Sequence, residues 1–131
     1  AIADDNHELW TMSPACTPFM DAWRAYIRLY ELMDLDPRVG TNLVTLLHGA
    51  GLRPSRIEVL TFGACAGNPH FPAFVENAAG VLVGGSERLT GAGLLTAEKV
   101  GAGIRAIHEW GELPDAALWY PLCLAEGVRP E

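Results

Sequence analysis

Positive charge is scarce in this chain. Nine Lys and Arg stand against sixteen Asp and Glu, giving a net charge of −7 at pH 7. The nine are scattered and form no run, so the clustered cations that phosphate binding needs are missing. Nucleic acid is therefore not an expected partner, and neither is an anionic membrane surface. No apolar run reaches the roughly 18 residues of a membrane helix. The first eight residues lack the basic start and apolar core of a signal peptide. They also lack an initiator Met, so the chain reads as processed, or as cut from something longer. Cysteine is sparse too: Cys16, Cys65 and Cys123 form no metal-type pair. An odd count without a secretory signal predicts reduced thiols and a cytoplasmic location.

Several catalytic templates are absent. There is no G-x-S-x-G elbow for a hydrolase. His7-Glu8 is not followed by a second His at zinc-protease spacing. Cys65 and His70 lie five loop residues apart, which is no thiol-pair signature. No residue is assigned to a metal.

Half of the 131 residues are hydrophobic and 19% are charged, enough for one globular domain with a real core. The whole chain, 1–131, reads as a single segment. Residues 1–6 read as the tail of a strand entering a loop. Ser13, Pro14, Thr17 and Pro18 mark a loop and helix start. In the helix predicted over 18–33, Phe19, Trp23, Tyr26, Tyr30 and Met33 share one face. That stripe is either ordinary core, a lid over an apolar ligand, or a subunit contact.

Asp36-Pro37 breaks the pattern, and Thr41 or Asn42 can cap a second helix reaching about residue 50. Gly51 suits the left-handed position ending it. Residues 56–62, with Ile57, Val59 and Phe62, read as a strand. Gly63 to Pro72 reads as a loop, followed by a third helix over about 74–82 that Gly84-Gly85 interrupts. Thr96 is a cap candidate for a fourth helix over about 97–110, although Lys99 stands where a capping box needs Glu. A closing strand covers 118–124.

Two stretches carry a family resemblance. One is Gly49-Ala50-Gly51-Leu52 leading into residues 56–62: a helix end, a Gly stop, a turn and a strand. The other is the aromatic-rich close, residues 116–127, with Trp119-Tyr120-Pro121. Together they resemble the C-terminal end of class I S-adenosylmethionine-dependent methyltransferases of the small-molecule type. The resemblance implies an α/β fold: the C-terminal part of a Rossmann-like methyltransferase domain. In it residues 56–62 pair antiparallel with 118–124. Residues 10–36 form a helical lid, and 41–131 form the distal core with an inserted helical excursion.

The resemblance implies an acceptor-binding and oligomerising part of a transferase, not active as this chain alone. The methyl group would go to O, N or C of an apolar or aromatic acceptor. Trp10, Met12, Phe19, Trp23 and Tyr26 are expected to line one wall of the acceptor pocket. Phe62, Asn68, His70 and Phe71 are expected to line the other. His7 and His70 are the candidate bases, and His48 and His108 are weaker ones. The alternative for each is a surface histidine.

The family's glycine-rich strand-to-helix turn is not found, since Gly84-Gly85 and Gly91-Ala92-Gly93 follow no clear strand. No cofactor-binding residue is assigned. S-adenosylmethionine is expected to be held mainly by an upstream half or a separate polypeptide, and a homo- or hetero-oligomer, such as a dimer, is expected. Two other readings remain open: a non-catalytic methyltransferase-derived partner or scaffold module, and an unrelated small α+β ligand-binding domain.

Overall fold

The computed structural model describes residues 1–131, and it is α/β, with four α-helices and four strands in one sheet. Its contacts gather into two compact units. The first holds Ala1–Thr11, Asp36–Phe62 and Trp119–Glu131. The second holds Met12–Leu35 and Gly63–Leu118. Most of the segment expected as a helical lid lies in the second unit, with the helical excursion. No helix is long and apolar enough to cross a membrane.

In the first unit, β1 (Ile2–Asp5) pairs antiparallel with β4 (Ala117–Val128), running from Ile2 opposite Ala125 to Asp5 opposite Leu122. β3 (Arg53–Cys65) also pairs with β4. Ser55 Oγ donates to the Glu126 carbonyl at 3.3 Å, and Gly127 lies against the Arg53 carbonyl. These contacts set the early part of β3 beside the late part of β4, which is the antiparallel sense. The expected pairing of 56–62 with 118–124 is therefore present, inside longer strands. β4 is thus the shared neighbour of β1, β2 (Thr11–Ser13) and β3.

The helix α2 (Val39–Gly49) covers this sheet. Leu43 and Leu47 pack on Cys123 and Ala125, alternate residues of β4 that share one face. Val39 and Leu52 flank the cluster. α2 starts earlier than Thr41. Asp36 accepts from the Arg38 amide at 2.8 Å and from the Asn42 side chain at 2.6 Å, while Thr41 donates back to the Arg38 carbonyl at 2.9 Å. Asp36 thereby organises the entry that sequence assigned to Thr41 or Asn42. At the far end the Gly51 amide bonds to the His48 carbonyl and the Leu52 amide to the Leu47 carbonyl. This double closure needs a left-handed residue, and Gly51 has φ 77°.

Gly40, in the first turn of α2, meets β1 backbone to backbone. A Cβ there would stand 2.5 Å from the Asp5 carbonyl oxygen and 2.6 Å from that of Asp4. Neither atom can swing aside as a side chain would. Gly40→Ala is expected to destabilise the chain by about 1–3 kcal/mol, despite alanine's better helix propensity. A urea midpoint equal to the parent's would refute this packing.

In the second unit, α1 (Thr17–Leu32) packs on α3 (Phe71–Gly91) and on α4 (Ala97–Gly111). Phe19, Leu82, Leu89 and Ile107 are wholly buried. Leu29, Leu89 and Val100 form a cluster with Tyr26 and Ile104 at its margin. The short strand β2 (Thr11–Ser13) was not foreseen. Nor does Gly84-Gly85 interrupt the third helix, because α3 runs straight through the pair. At Gly85 a Cβ would come 3.2 Å from the Tyr26 ring, so its absence lets that ring lie on the helix. Packing gained there offsets the roughly 1 kcal/mol propensity cost of a helical glycine. Thr96 caps α4 as expected, its Oγ1 accepting from the Lys99 amide at 3.3 Å.

Candidate functional site

At the carboxyl end of β1 the first unit gathers the polar side chains of Asp5, Asn6, His7 and Tyr120. Asn6 initiates the turn: its Oδ1 accepts from the Glu8 amide at 3.0 Å, and a 3-10 turn follows over His7–Leu9. Asn6 is a buried polar residue, and its Nδ2 donates to Thr41 Oγ1 at 3.2 Å. The His7 amide donates to the Pro37 carbonyl at 2.9 Å. Backbone and side chain of this turn are thus tied to the segment entering α2.

His7 Nδ1 lies 3.5 Å from Asp5 Oδ2, with the two side chains 13% and 19% exposed. The hydroxyl of Tyr120, from β4, donates to that same Asp5 oxygen. Asp5 therefore stands between a tyrosine hydroxyl and an imidazole. The separation from Asp5 is that of a charge contact rather than a hydrogen bond. An imidazole can in general take a proton from a bound nucleophile. Glu8 and Arg38 pair beside the turn at 2.5 Å.

Sequence reading singled out His7 but missed Asp5 and Tyr120. The i, i+2 spacing of Asp5 and His7 was available as a signal. Tyr120 gave none, because it arrives from a strand 115 residues along the chain.

The other residues expected at the site fall in both units. In the first, Trp10 is buried, Phe62 is exposed on β3, and His48 borders an open cleft of about 280 Å³ with Leu52, Arg53 and Pro130. In the second, the aromatic stripe divides. Phe19 and Trp23 are core, their rings 6.0 Å apart. Tyr26 and Tyr30, 5.1 Å apart, line a cleft of about 250 Å³ with Met33, Gly80, Gly84 and Arg88. The Tyr26 hydroxyl donates to that of Tyr30 at 3.3 Å. Met12 is half-buried in β2.

Phe71 is core rather than open wall. It packs 5.6 Å from Trp110, whose indole N–H donates to the Pro14 carbonyl at 2.7 Å. Asn68 and His70 are exposed and form the turn into α3, Asn68 Oδ1 accepting from the His70 amide at 2.8 Å. His108 pairs with Glu76 at 3.1 Å on the surface. Burial pushes the Cys16 thiol up, so it is a poor nucleophile. No group of three His, Cys, Asp or Glu side chains converges as a metal site would require.

The exposed end of the stripe, the cleft at Tyr26 and Tyr30, presents both tyrosine hydroxyls and Arg88 beside Met33. The Asp5–His7–Tyr120 group suits proton transfer. A comparison with protein-family models finds no match for this chain, and neither does a comparison with curated proteins.

Proposed function

We propose that this chain is the acceptor-handling, C-terminal part of a class I small-molecule methyltransferase that uses S-adenosylmethionine. The observation that carries this reading is His7, held beside Asp5 at the carboxyl end of β1, with Tyr120 on the far side of the carboxylate. In the mostly parallel open sheet of that family, ligands bind outside the carboxyl ends of the strands, and β1 would be one of those strands. The antiparallel pairing of β3 with β4 that the family resemblance implies gives a second line of support.

In this mechanism His7 accepts the proton that an acceptor oxygen or nitrogen must lose. Asp5 orients the ring and balances the charge that appears on it, and Tyr120 holds Asp5 in place. Proton transfer of this kind contributes about 10²–10⁴-fold to a rate. Transfer to a stronger nucleophile that carries no such proton would not need the base.

The residues present do not fit the cofactor. Gly84-Gly85 lies inside α3, and Gly91 ends that helix, so neither cluster is a strand-to-helix turn. Binding of S-adenosylmethionine is therefore assigned to another segment or polypeptide.

Titration calorimetry tests this division of labour. The 131-residue chain alone is expected to give no binding of S-adenosylmethionine at micromolar concentration. Joined to a segment carrying the strand and glycine-rich turn, it is expected to bind at about −8 kcal/mol, a micromolar Kd. Micromolar binding by the chain alone would place a cofactor site within these residues. No binding in either arm would end the methyltransferase reading.

A further inference from the structure

β3 is unusual for an edge strand. It is 13 residues long, and β4 is its strand neighbour. Its side chains are exposed on both faces: Ile57 is 70% exposed, Val59 60%, Leu60 42% and Phe62 48%. Proteins blunt such edges with short strands, lysines, prolines or bulges. β3 carries charges at Arg53, Arg56 and Glu58 but no lysine, and Pro54 sits next to the strand's start, leaving the following residues able to pair.

The charges on β3 say what covers it. Arg56 and Glu58 lie two apart, on the face opposite Ile57. If a second β3 runs antiparallel about a two-fold axis at Ile57, Arg56 of each copy stands across from Glu58 of the other. The same register sets Ile57 against itself and places Val59 of each strand across from Ser55. Ile57 and Val59 of both copies then form one apolar row. Any register that slides from this centre breaks both Arg–Glu pairs at once. Within one chain, Arg56 already hydrogen-bonds Glu58 and lies 3.7 Å from Glu126, so its charge is held on this face.

We infer that β3 is a homodimer interface, joining two copies of this chain edge to edge, antiparallel, about a two-fold axis at Ile57. An isologous contact of this kind closes at two subunits and does not propagate into a fibre. The two sheets become one, and the unpaired N–H and C=O groups of each β3 edge are satisfied by the other copy. This inference is independent of the methyltransferase reading, because nothing in it involves the cofactor or His7.

Sedimentation velocity and cross-linking test it on the 131-residue chain. The parent is expected to be a dimer at tens of micromolar, and a monomer there would overturn the proposal. Arg56→Glu and Glu58→Arg are each expected to weaken the dimer about tenfold, since each turns two attractive cross-strand pairs repulsive. The double exchange is expected to restore it. In a Cys65→Ser background, Ile57→Cys is expected to form a disulfide-linked dimer on mild oxidation. Directly opposed residues in an antiparallel pair have Cα atoms about 4.5–5.5 Å apart, within disulfide reach. Thr61→Cys in the same background is expected not to cross-link, because its counterpart would lie roughly 26 Å away at about 3.3 Å per residue. A dimer indifferent to the charge variants, or one that links through position 61 and not 57, would overturn this interface.

Discussion

Replacing His7 with Gln is expected to lower kcat/KM for methyl transfer by about 10²–10⁴-fold in the cofactor-competent protein. Gln keeps hydrogen-bonding capacity at the site but cannot accept a proton at neutral pH. The fold should survive the change, because the turn is held by the His7 amide and by Asn6 rather than by the imidazole. Asp5→Asn is expected to cost less and to act mainly on kcat. It preserves a polar partner for Tyr120 and removes the charge that balances the imidazolium. Tyr120→Phe should be milder still, since it only loosens Asp5. Initial rates with labelled S-adenosylmethionine at saturation measure all three. A His7→Gln protein that keeps a third or more of parent activity would mean that His7 is not the base.

Trp23→Ala is the second change with a large expected effect, and it acts on stability. Trp23 is 5% exposed and packed between Phe19 and Tyr26, its ring 6.0 Å from the first and 5.6 Å from the second. Truncation leaves a cavity in the second unit that α1, α3 and α4 cannot fill without moving. The loss is expected to be about 3–5 kcal/mol, a large fraction of a small domain's stability. Tyr30, at the open end of the same stripe, lines the cleft instead. Tyr30→Ala is expected to cost less stability. Urea unfolding of both variants, followed by tryptophan fluorescence and circular dichroism, separates the two roles. A Trp23→Ala protein within about 1 kcal/mol of the parent would show that this part of the stripe is not core.

The sequence by itself determined the local elements whose signals are short-range. The three-four spacing of Phe19, Trp23, Tyr26 and Tyr30 marked α1, because a helix brings such residues to one face. Gly51 marked the end of α2 and Thr96 the start of α4, because a left-handed residue and a side-chain acceptor solve helix-end problems within a few residues. Ile57, Val59 and Phe62 marked β3, and its antiparallel partner came with the family resemblance.

Tertiary structure decided the rest. It carried α3 through Gly84-Gly85, because the Tyr26 ring occupies the space a side chain at Gly85 would need. It moved the entry of α2 to Asp36, and it divided the aromatic stripe between core and cleft according to what packs against each ring. It also joined residues 12–35 with 63–118 into one unit. The Asp5–Tyr120 contact belongs to the same class. It depends on β4 returning beside β1, and a separation of 115 residues leaves no periodic or capping trace in the sequence. Local rules act over one helical turn or one strand pleat, whereas a site assembled across the sheet exists only once the strands have paired.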